Sequence, residues 1–346
     1  MTSKSLAHLD SNLPYLPEGY SQRAATTEDA EAIARVINAS ILARHDDEVV
    51  TAEFLLRDWQ EPNWELSASS QVALNPHGEI IGFVSVWDVY NPAHANIGVD
   101  VRPGEHWPNV MRVLTAWGEQ RALQALERCE PEERVAPFTY YHADSAEQTL
   151  FESLGYKAIR YSFHMGITLQ DAPTVIPLPT GFTLKTFDYP AELERLVVAQ
   201  DEMWEDHYGY IKHPLDELVR DWTQFIANDP KFDPTMWYIA TDDATGEIAG
   251  LVLCELEAAT KPTEGYISIV GVRRAYRKQG LAQAMLTHAL TEYWRRGQKT
   301  VGLGVDGSSL TGATRLYERV GMTIKKRYVR LEKEMRPGIE RMNTGD

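Results

Sequence analysis

An internal duplication constrains the fold of this chain more than any other feature of its sequence. Four short segments recur in the same order at similar separations: 19–23 with 181–185, 78–84 with 246–252, 99–103 with 270–274, and 150–156 with 316–322. Two long copies differ from the many short copies of a solenoid. The 346 residues are enough for two separate cores, so the pattern predicts two copies of one domain.

The repeat also predicts where the domains begin and end. We expect flexible tails at residues 1–18 and 336–346, an N-terminal domain at 19–170, a linker at 171–180 and a C-terminal domain at 181–335. The linker contains three prolines, which disfavour regular structure.

Periodicity predicts the elements of the C-terminal copy in some detail. The expected strands are 183–186, 236–241, 247–257, 266–272, 300–305 and 323–334. The expected helices are 190–202, 214–228, 281–296 and 312–320. Antiparallel strands flanked by helices, with one strand–helix unit among them, predict a mixed α/β sheet.

A basic loop between a strand and a helix is the clearest candidate binding site. Four cations follow the β-branched run at 267–272: Arg273, Arg274, Arg277 and Lys278. Cations ahead of a helix N-terminus are unfavourable unless an anion lies between them and the helix dipole. Free backbone N–H groups there bind phosphate, and Gly280 allows close approach. The loop predicts a phosphate site, and the alternative is a solvated basic loop.

Composition restricts the possible partners. The net charge of −16 argues against nucleic-acid binding, which normally needs a basic surface. No apolar run is long enough to span a membrane and residues 1–19 lack the apolar core of a signal peptide, so we expect a cytoplasmic protein. Cys129 and Cys254 are expected to be reduced, and no Cys/His spacing typical of a metal site occurs. The oligomeric state stays open between monomer and homodimer.

Two motifs resemble those of the GCN5-related N-acetyltransferases. Residues 277–282, Arg-Lys-Gln-Gly-Leu-Ala, fit the family signature Arg/Gln-x-x-Gly-x-Gly/Ala, after a strand and before a helix. Residues 313–322, Ala-Thr-Arg-Leu-Tyr-Glu-Arg-Val-Gly-Met, are similar to the segment Ala-x-x-Leu-Tyr-x-x-x-Gly-Phe. The resemblance covers residues 181–335. Together with the duplication, it implies two tandem acyltransferase domains of mixed α/β fold.

The resemblance implies acetyl-CoA or another acyl-CoA as co-substrate, without a metal. Main-chain groups of the last strand residues would pair with the pantetheine amides, and N–H groups of the loop would hold the pyrophosphate. The cofactor-binding residues that it implies are Val270, Gly271, Val272, Arg277, Lys278, Gln279, Gly280, Leu281, Ala282 and Gln283.

The N-terminal copy departs from both motifs. Residues 102–109, Arg-Pro-Gly-Glu-His-Trp-Pro-Asn, stand in place of the basic loop. Pro108 lacks an N–H group and Glu105 puts negative charge where pyrophosphate would lie. Phe151 stands in place of Tyr317. By resemblance, this copy is degenerate and without catalysis, and it supports the other domain or shapes its acceptor pocket.

Tyr317 is the candidate general acid and Glu264 the candidate general base. A phenolic hydroxyl keeps its proton at neutral pH and can protonate a leaving thiolate. Glu264 precedes Tyr266 by two residues, which puts both on one face of the strand. Each has an alternative role. Tyr317 could be an aromatic anchor of its helix, as the Phe151 counterpart suggests, and Glu264 could be a solvated strand end.

Candidates for the acceptor site come from three places. The segment 201–210 is rich in carboxylates and aromatic residues, and would select a cationic or hydroxyl-rich amine. It could equally form an amphipathic helix whose acids are solvated. Ser268 shares the strand face of Glu264, and a further carboxylate follows the next strand. The candidate substrate-binding residues are Glu202, Asp206, Tyr208, Ser268 and Asp306.

These observations predict an N-acetyltransferase in which the primary amine of a small molecule attacks the thioester directly. The alternative is a non-catalytic acyl-CoA-binding or assembly module. A glycine triplet at 302–307 matches the dinucleotide pattern G-x-G-x-x-G, but two of its glycines fall inside a predicted strand. Nicotinamide-dependent chemistry is therefore disfavoured.

Overall fold

A computed structural model describes residues 14–104, 106–307 and 312–344, which form two compact units. The first unit comprises the described part of Met1–Ile159 together with Arg330–Ile339. The second comprises Arg160–Val329 together with the described part of Glu340–Asp346. This division differs from the expected one, because one segment from each sequence copy belongs to the other unit.

The first unit has a sheet with the order β1-β2-β3-β4-β5, followed by the end of β12. Its strands are β1 (Ser21–Ala24), β2 (Ser70–Leu74), β3 (Ile80–Trp87), β4 (Asn96–Val101) and β5 (Phe138–His142), and its helices are α1 (Ala30–Ala43), α2 (Ala52–Asp58), α3 (Leu66–Ser69), α4 (Trp107–Leu123) and α5 (Ala146–Ser153). β6 (Lys157–Thr168) begins in this unit and continues into the second.

The second unit has a sheet with the order β12-β6-β11-β10-β9-β8-β7. Its own strands are β7 (Phe182–Thr186), β8 (Trp237–Asp242), β9 (Ile248–Glu255), β10 (Gly265–Val272), β11 (Thr300–Asp306) and β12 (Thr323–Glu332), and its helices are α6 (Leu193–Trp204), α7 (Leu215–Asn228), α8 (Leu281–Arg295) and α9 (Ala313–Arg319). A continuous apolar core packs α6 and α8 against this sheet.

The mixed α/β fold predicted from periodicity is confirmed. Each strand and helix expected in the C-terminal copy is present, with ends that differ by at most three residues. Periodicity missed only short 3-10 turns in this copy, at Pro234–Met236 and Arg274–Tyr276. Such turns are too short to carry a hydrophobic period.

The closing strands are exchanged between the two sequence copies. β6 pairs antiparallel with β11 from Thr300–Thr168 to Asp306–Ser162, and its Met165 is buried in the core of the second unit. The end of β12, from Arg330 onward, belongs to the first unit. A repeat shows which residues correspond, but not which sheet a strand joins, so the expected boundary at 171–180 misplaced both strands.

The expected flexible C-terminal tail is instead attached through backbone hydrogen bonds. Arg336 pairs with Val135 in an isolated bridge of the first unit. In the second unit, the Asn343 N–H donates to the Tyr210 carbonyl at 3.0 Å. The polar composition of the segment gave no sign of these contacts. Residues 1–13 of the other predicted tail lie outside the described residues. None of the helices in the described chain is long and apolar enough to cross a membrane.

Candidate active site

A gap between two parallel strands defines the site. β10 and β11 pair only at Gly265–Val301 and Tyr266–Gly302, after which they separate. On its other side β10 stays paired with β9 up to Val272, with a bulge between Ile267 and Ile269. Among the described residues, no strand covers the edge of β10 that faces the gap. An extended ligand can pair with that edge as a further strand would.

The loop after β10 presents unpaired N–H groups at the start of α8. Lys278 and Gly280 have positive φ, +63° and +87°, and no side chain caps the helix. The first backbone hydrogen bond of the helix runs from Ala284 N–H to the Gly280 carbonyl at 3.1 Å. Within the described chain, no acceptor lies within hydrogen-bond distance of the N–H groups of residues 278–283. The terminus therefore has the donors and the dipole that bind an anion.

Two carboxylates of the predicted acceptor segment pair with arginines of this loop. Glu202 accepts from Arg273 Nε at 2.5 Å and from Nη2 at 2.7 Å. Asp206 accepts from Arg274 and, at 2.7 Å, from Arg277. The hydrogen bond from Arg274, with that from Arg277, holds the pKa of Asp206 well below its usual range. Their predicted role in acceptor binding stays a prediction, since these contacts join the end of α6 to the loop.

Tyr317 lies on α9 and is buried. Burial raises the pKa of its hydroxyl to about 12, and the neighbouring Tyr266 contributes in the same direction. The group is therefore protonated throughout the neutral range. Its counterpart Phe151 in the first unit is fully buried between Tyr141 and Tyr156, so this helix position accepts an aromatic ring in both copies.

Glu264 is only 3% exposed, so the alternative of a solvated strand end is wrong. Its Oε1 lies 2.7 Å from His164 Nε2, and its Oε2 lies 2.8 Å from Lys261 Nζ. Burial disfavours the charged carboxylate, but the hydrogen bonds from His164 and Lys261 outweigh it and lower the pKa of Glu264 to about 2. Glu264 is thus a buried anion with a partner at each oxygen.

His164 was missed by sequence reasoning. It comes from β6, opposite Gly304 of β11, and no spacing in the sequence links β6 to β10. The feature of the sequence that could have indicated this contact is the pair of glycines in β11, Gly302 and Gly304. A Cβ at Gly302 would lie 1.9 Å from Glu264 Oε1 and 2.5 Å from His164 Cε1, and one at Gly304 would lie 3.1 Å from the Tyr266 hydroxyl. These glycines leave room for side chains that cross β11, and they lie within the strand rather than in a dinucleotide-binding turn.

The other predicted acceptor residues fall into two groups. Arg160 donates through Nε to both oxygens of Asp306, at 2.9 and 2.8 Å, and its guanidinium lies 4.5 Å from the Tyr208 ring centroid. Arg160 thus joins Asp306 to Tyr208 in one cluster. Ser268, at the bulge of β10, donates to the Leu253 carbonyl at 3.1 Å.

The first unit also has a cleft next to two parallel strands. β4 and β5 pair only at Asn96–Phe138, and a cavity of about 620 Å³ lies between the start of α4 and residues 142–147. Pro108 lies in the first turn of α4, where it removes an N–H donor. Glu105, expected to repel pyrophosphate, lies outside the described residues.

A mixed sheet that parts between two parallel strands, with an anion-binding loop leading into a helix, defines the class as acyl-CoA-dependent N-acetyltransferases. The acetyltransferase (GNAT) family profile matches residues 196–322. A GCN5-related N-acetyltransferase of known structure from Sphaerobacter thermophilus is 32% identical, with a TM-score of 0.79 over 94% of this chain and 99% of that one. The chain belongs to the GCN5-related N-acetyltransferase family and is an N-acetyltransferase.

Two further comparisons extend along both copies. A mycothiol acetyltransferase from Salinispora tropica is 26% identical over 85% of this chain and 88% of its own length. A tandem GNAT protein from the clavulanic acid biosynthesis pathway has a TM-score of 0.71 at 15% identity, over 92% of this chain and 100% of that one, and shows a shared fold. The predicted family and tandem arrangement are confirmed.

Proposed function

We propose that this protein transfers the acetyl group of acetyl-CoA to the primary amine of a small molecule, with chemistry confined to the C-terminal copy and Tyr317 as general acid. The observation that carries the proposal is the separation of β10 from β11 beyond Tyr266–Gly302. It leaves a strand edge with which the pantetheine amides can pair.

Main-chain groups of β10, N–H groups at the start of α8 and the Arg277 side chain form the proposed acetyl-CoA site. The main chain of Val270, Gly271 and Val272 lies along the open edge of β10. The six free N–H groups of residues 278–283 lie at the start of α8, where the dipole favours a pyrophosphate. Arg277 adds positive charge, and Asp206 keeps that charge balanced until the anion binds.

Tyr317 supplies the proton for the departing thiolate. A hydroxyl with a pKa of about 12 is fully protonated in the neutral range, so it acts by donating a hydrogen bond to the sulfur as charge develops. The amine nitrogen forms a bond to the thioester carbon, and the carbon–sulfur bond breaks with its electron pair on sulfur. Glu264 takes part in the reaction as a buried anion, next to the point where β10 and β11 separate.

For the acceptor we propose a small amine that contacts the cluster around Asp306 and Tyr208. Two of the chain's relatives are named mycothiol acetyltransferases, which supports a small-molecule acceptor over a protein. Asp306 of that cluster, held by Arg160, offers carboxylate oxygens as hydrogen-bond acceptors to the amine. Ser268 is exposed at the bulge and offers a hydroxyl on the same strand.

The test is thiol release from acetyl-CoA in the presence of a panel of primary amines. Tyr317→Phe should lower kcat by about 10²–10⁴-fold, because it removes the proton donor while keeping the ring that Phe151 shows to be tolerated. The KM for acetyl-CoA should stay unchanged. The matched control is Tyr140→Phe, an exposed tyrosine of the first unit, which should leave both parameters intact.

Two outcomes would overturn the proposal. One is acetyl-CoA binding without thiol release for any amine of the panel. The other is full activity of Tyr317→Phe, which would remove Tyr317 from the chemistry and leave it as an aromatic anchor.

A further inference from the structure

We propose that His164, from the strand that the N-terminal copy lends to the second unit, is the general base of acetyl transfer. Glu264 acts on it as a positioning residue, and the Nδ1 atom of His164 accepts the proton of the amine. This inference rests on the proposed function and assigns the side chain that completes it.

The tautomer of His164 follows from its partner. Glu264 is ionised in the neutral range, so its oxygens only accept hydrogen bonds. His164 Nε2, 2.7 Å from Glu264 Oε1, must therefore carry the proton of that hydrogen bond. A neutral imidazole with a protonated Nε2 has its lone pair on Nδ1. In the described chain no residue lies within hydrogen-bond distance of Nδ1, which leaves this atom available to a substrate.

The imidazole lies over the point where the strands part. Gly302 is the last residue of β11 that pairs with β10, and a Cβ there would lie 2.5 Å from His164 Cε1 and 2.7 Å from Nε2. The ring is parallel to that of Tyr266, with centroids 6.5 Å apart and an interplanar angle of 9°. Tyr266 is also a neighbour of Tyr317, whose pKa it helps to raise.

Glu264 is a poor base in its own right. Its oxygens are occupied by His164 and Lys261, and a carboxylate with a pKa of about 2 has little affinity for the proton of an amine. Its geometry instead matches that of a carboxylate that orients a histidine, stabilises the imidazolium formed on protonation, and does not itself become protonated.

The proton transfers balance over one turnover. The amine nitrogen gains a bond to the acyl carbon and loses its proton to His164 Nδ1. The carbon–sulfur bond breaks, and the sulfur takes the proton of Tyr317. The products are an amide and free CoA, while the imidazolium and the phenolate exchange protons with solvent before the next turnover.

Several charged and titratable groups lie on His164's neighbouring elements. They are Lys261 and Glu264 ahead of β10, Tyr266 of β10, Asp306 of β11, Lys325 of β12 and Tyr317 of α9. Glu264 is the anion in direct contact, so its removal should make His164 easier to deprotonate.

The test compares pH profiles of kcat and of kcat/KM for the amine in the full-length protein. His164→Gln should lower kcat by about 10²–10⁴-fold and remove the acidic limb of the profile, with the KM for acetyl-CoA unchanged. Glu264→Gln keeps the imidazole, so we expect a smaller loss and an acidic limb displaced to lower pH. His288→Gln is the matched control, because His288 is exposed on α8, against Tyr238, outside the site.

A second variant guards against a folding defect. His164→Ala leaves a space beside Glu264 that added imidazole can occupy, so imidazole should restore part of kcat. No such rescue is expected if the role of His164 is purely structural. The base assignment is overturned if His164→Gln keeps the acidic limb, if imidazole fails to rescue His164→Ala, or if Glu264→Gln alone abolishes the limb. Absence of thiol release by the unmodified protein would instead be a failure of the proposed function.

Discussion

Replacement of Glu264 by glutamine should destabilise the second unit in a pH-dependent manner. The pKa of about 2 in the folded protein lies below the ordinary value of 4.5, so the folded state binds this proton more weakly than the unfolded state. Stability from the ion pairs is therefore fully present above 4.5 and is lost as the pH falls towards 2. At about 1.36 kcal/mol per pKa unit, the contribution at neutral pH is about 3 kcal/mol.

The expected dependence follows from proton linkage. About 0.8 kcal/mol of the contribution should be lost by about pH 4 and about 2 kcal/mol by about pH 3. Urea unfolding of the unmodified protein and of Glu264→Gln at a series of pH values measures the difference. Hydrogen exchange of peptides from β10 and β11 assigns the transition to the second unit.

The control is Glu194→Gln, the same chemical change at an exposed position of α6. It should alter the free energy of unfolding by no more than about 0.5 kcal/mol, because only a weak interaction with the helix dipole is lost. Two results would refute the reasoning that ion pairs hold this carboxylate ionised. One is a Glu264→Gln variant as stable as the unmodified protein at neutral pH, and the other is a loss of stability that stays constant as the pH falls.

Three further predictions concern the same unit. Gly302→Ala should lower the free energy of unfolding by about 1–3 kcal/mol in urea titrations and reduce kcat, because the new Cβ collides with Glu264. The control is Gly104→Ala, whose Cβ meets no neighbour and which should leave both quantities unchanged. Gly280→Ala should raise the KM for acetyl-CoA, since its φ of +87° costs an L-residue about 1 kcal/mol; an unchanged KM would exclude that loop from binding. A fragment of residues 171–346 lacks β6 and should show no cooperative unfolding, whereas one that starts at residue 157 should.

Local signals in the sequence were sufficient to place the strand, loop and helix of the proposed donor site. The β-branched run that becomes β10, the glycine at the start of α8 and the tyrosine of α9 lie within residues 265–317, and each depends on its immediate neighbours. Periods of two and of 3.6 residues then fix the element types, because an amphipathic element must place its apolar face on the core. The strand, loop and helix that form the proposed donor site were therefore predictable from the sequence, while the individual cofactor contacts stay a prediction.

The side of the site that we propose to accept the proton was not predictable, because it depends on pairing between distant strands. Glu264 could be named from its position just before β10, but its partner His164 lies 100 residues away on β6. The same holds for Glu202 and Asp206, whose arginine partners lie about 70 residues further along the chain. Side-chain pairs of this kind are set by sheet order and helix placement, neither of which leaves a period in the sequence.

Through the exchange of closing strands, the N-terminal copy contributes a strand to the second unit. Its own loop and helix give it no such role. That copy has phenylalanine in place of the tyrosine and proline in place of a donor, so it lacks two of the groups that we propose for the chemistry of the other copy. Yet β6 covers β11 along its whole length, and carries Met165 into the core and His164 to Glu264. Substitutions in the first cleft therefore need not affect the reaction, whereas substitutions in β6 act directly on the second unit's stability and on its proposed base. If His164 is the base as proposed, a duplication with exchanged strands can lose the catalytic residues of one copy while that copy still supplies a residue to the site of the other.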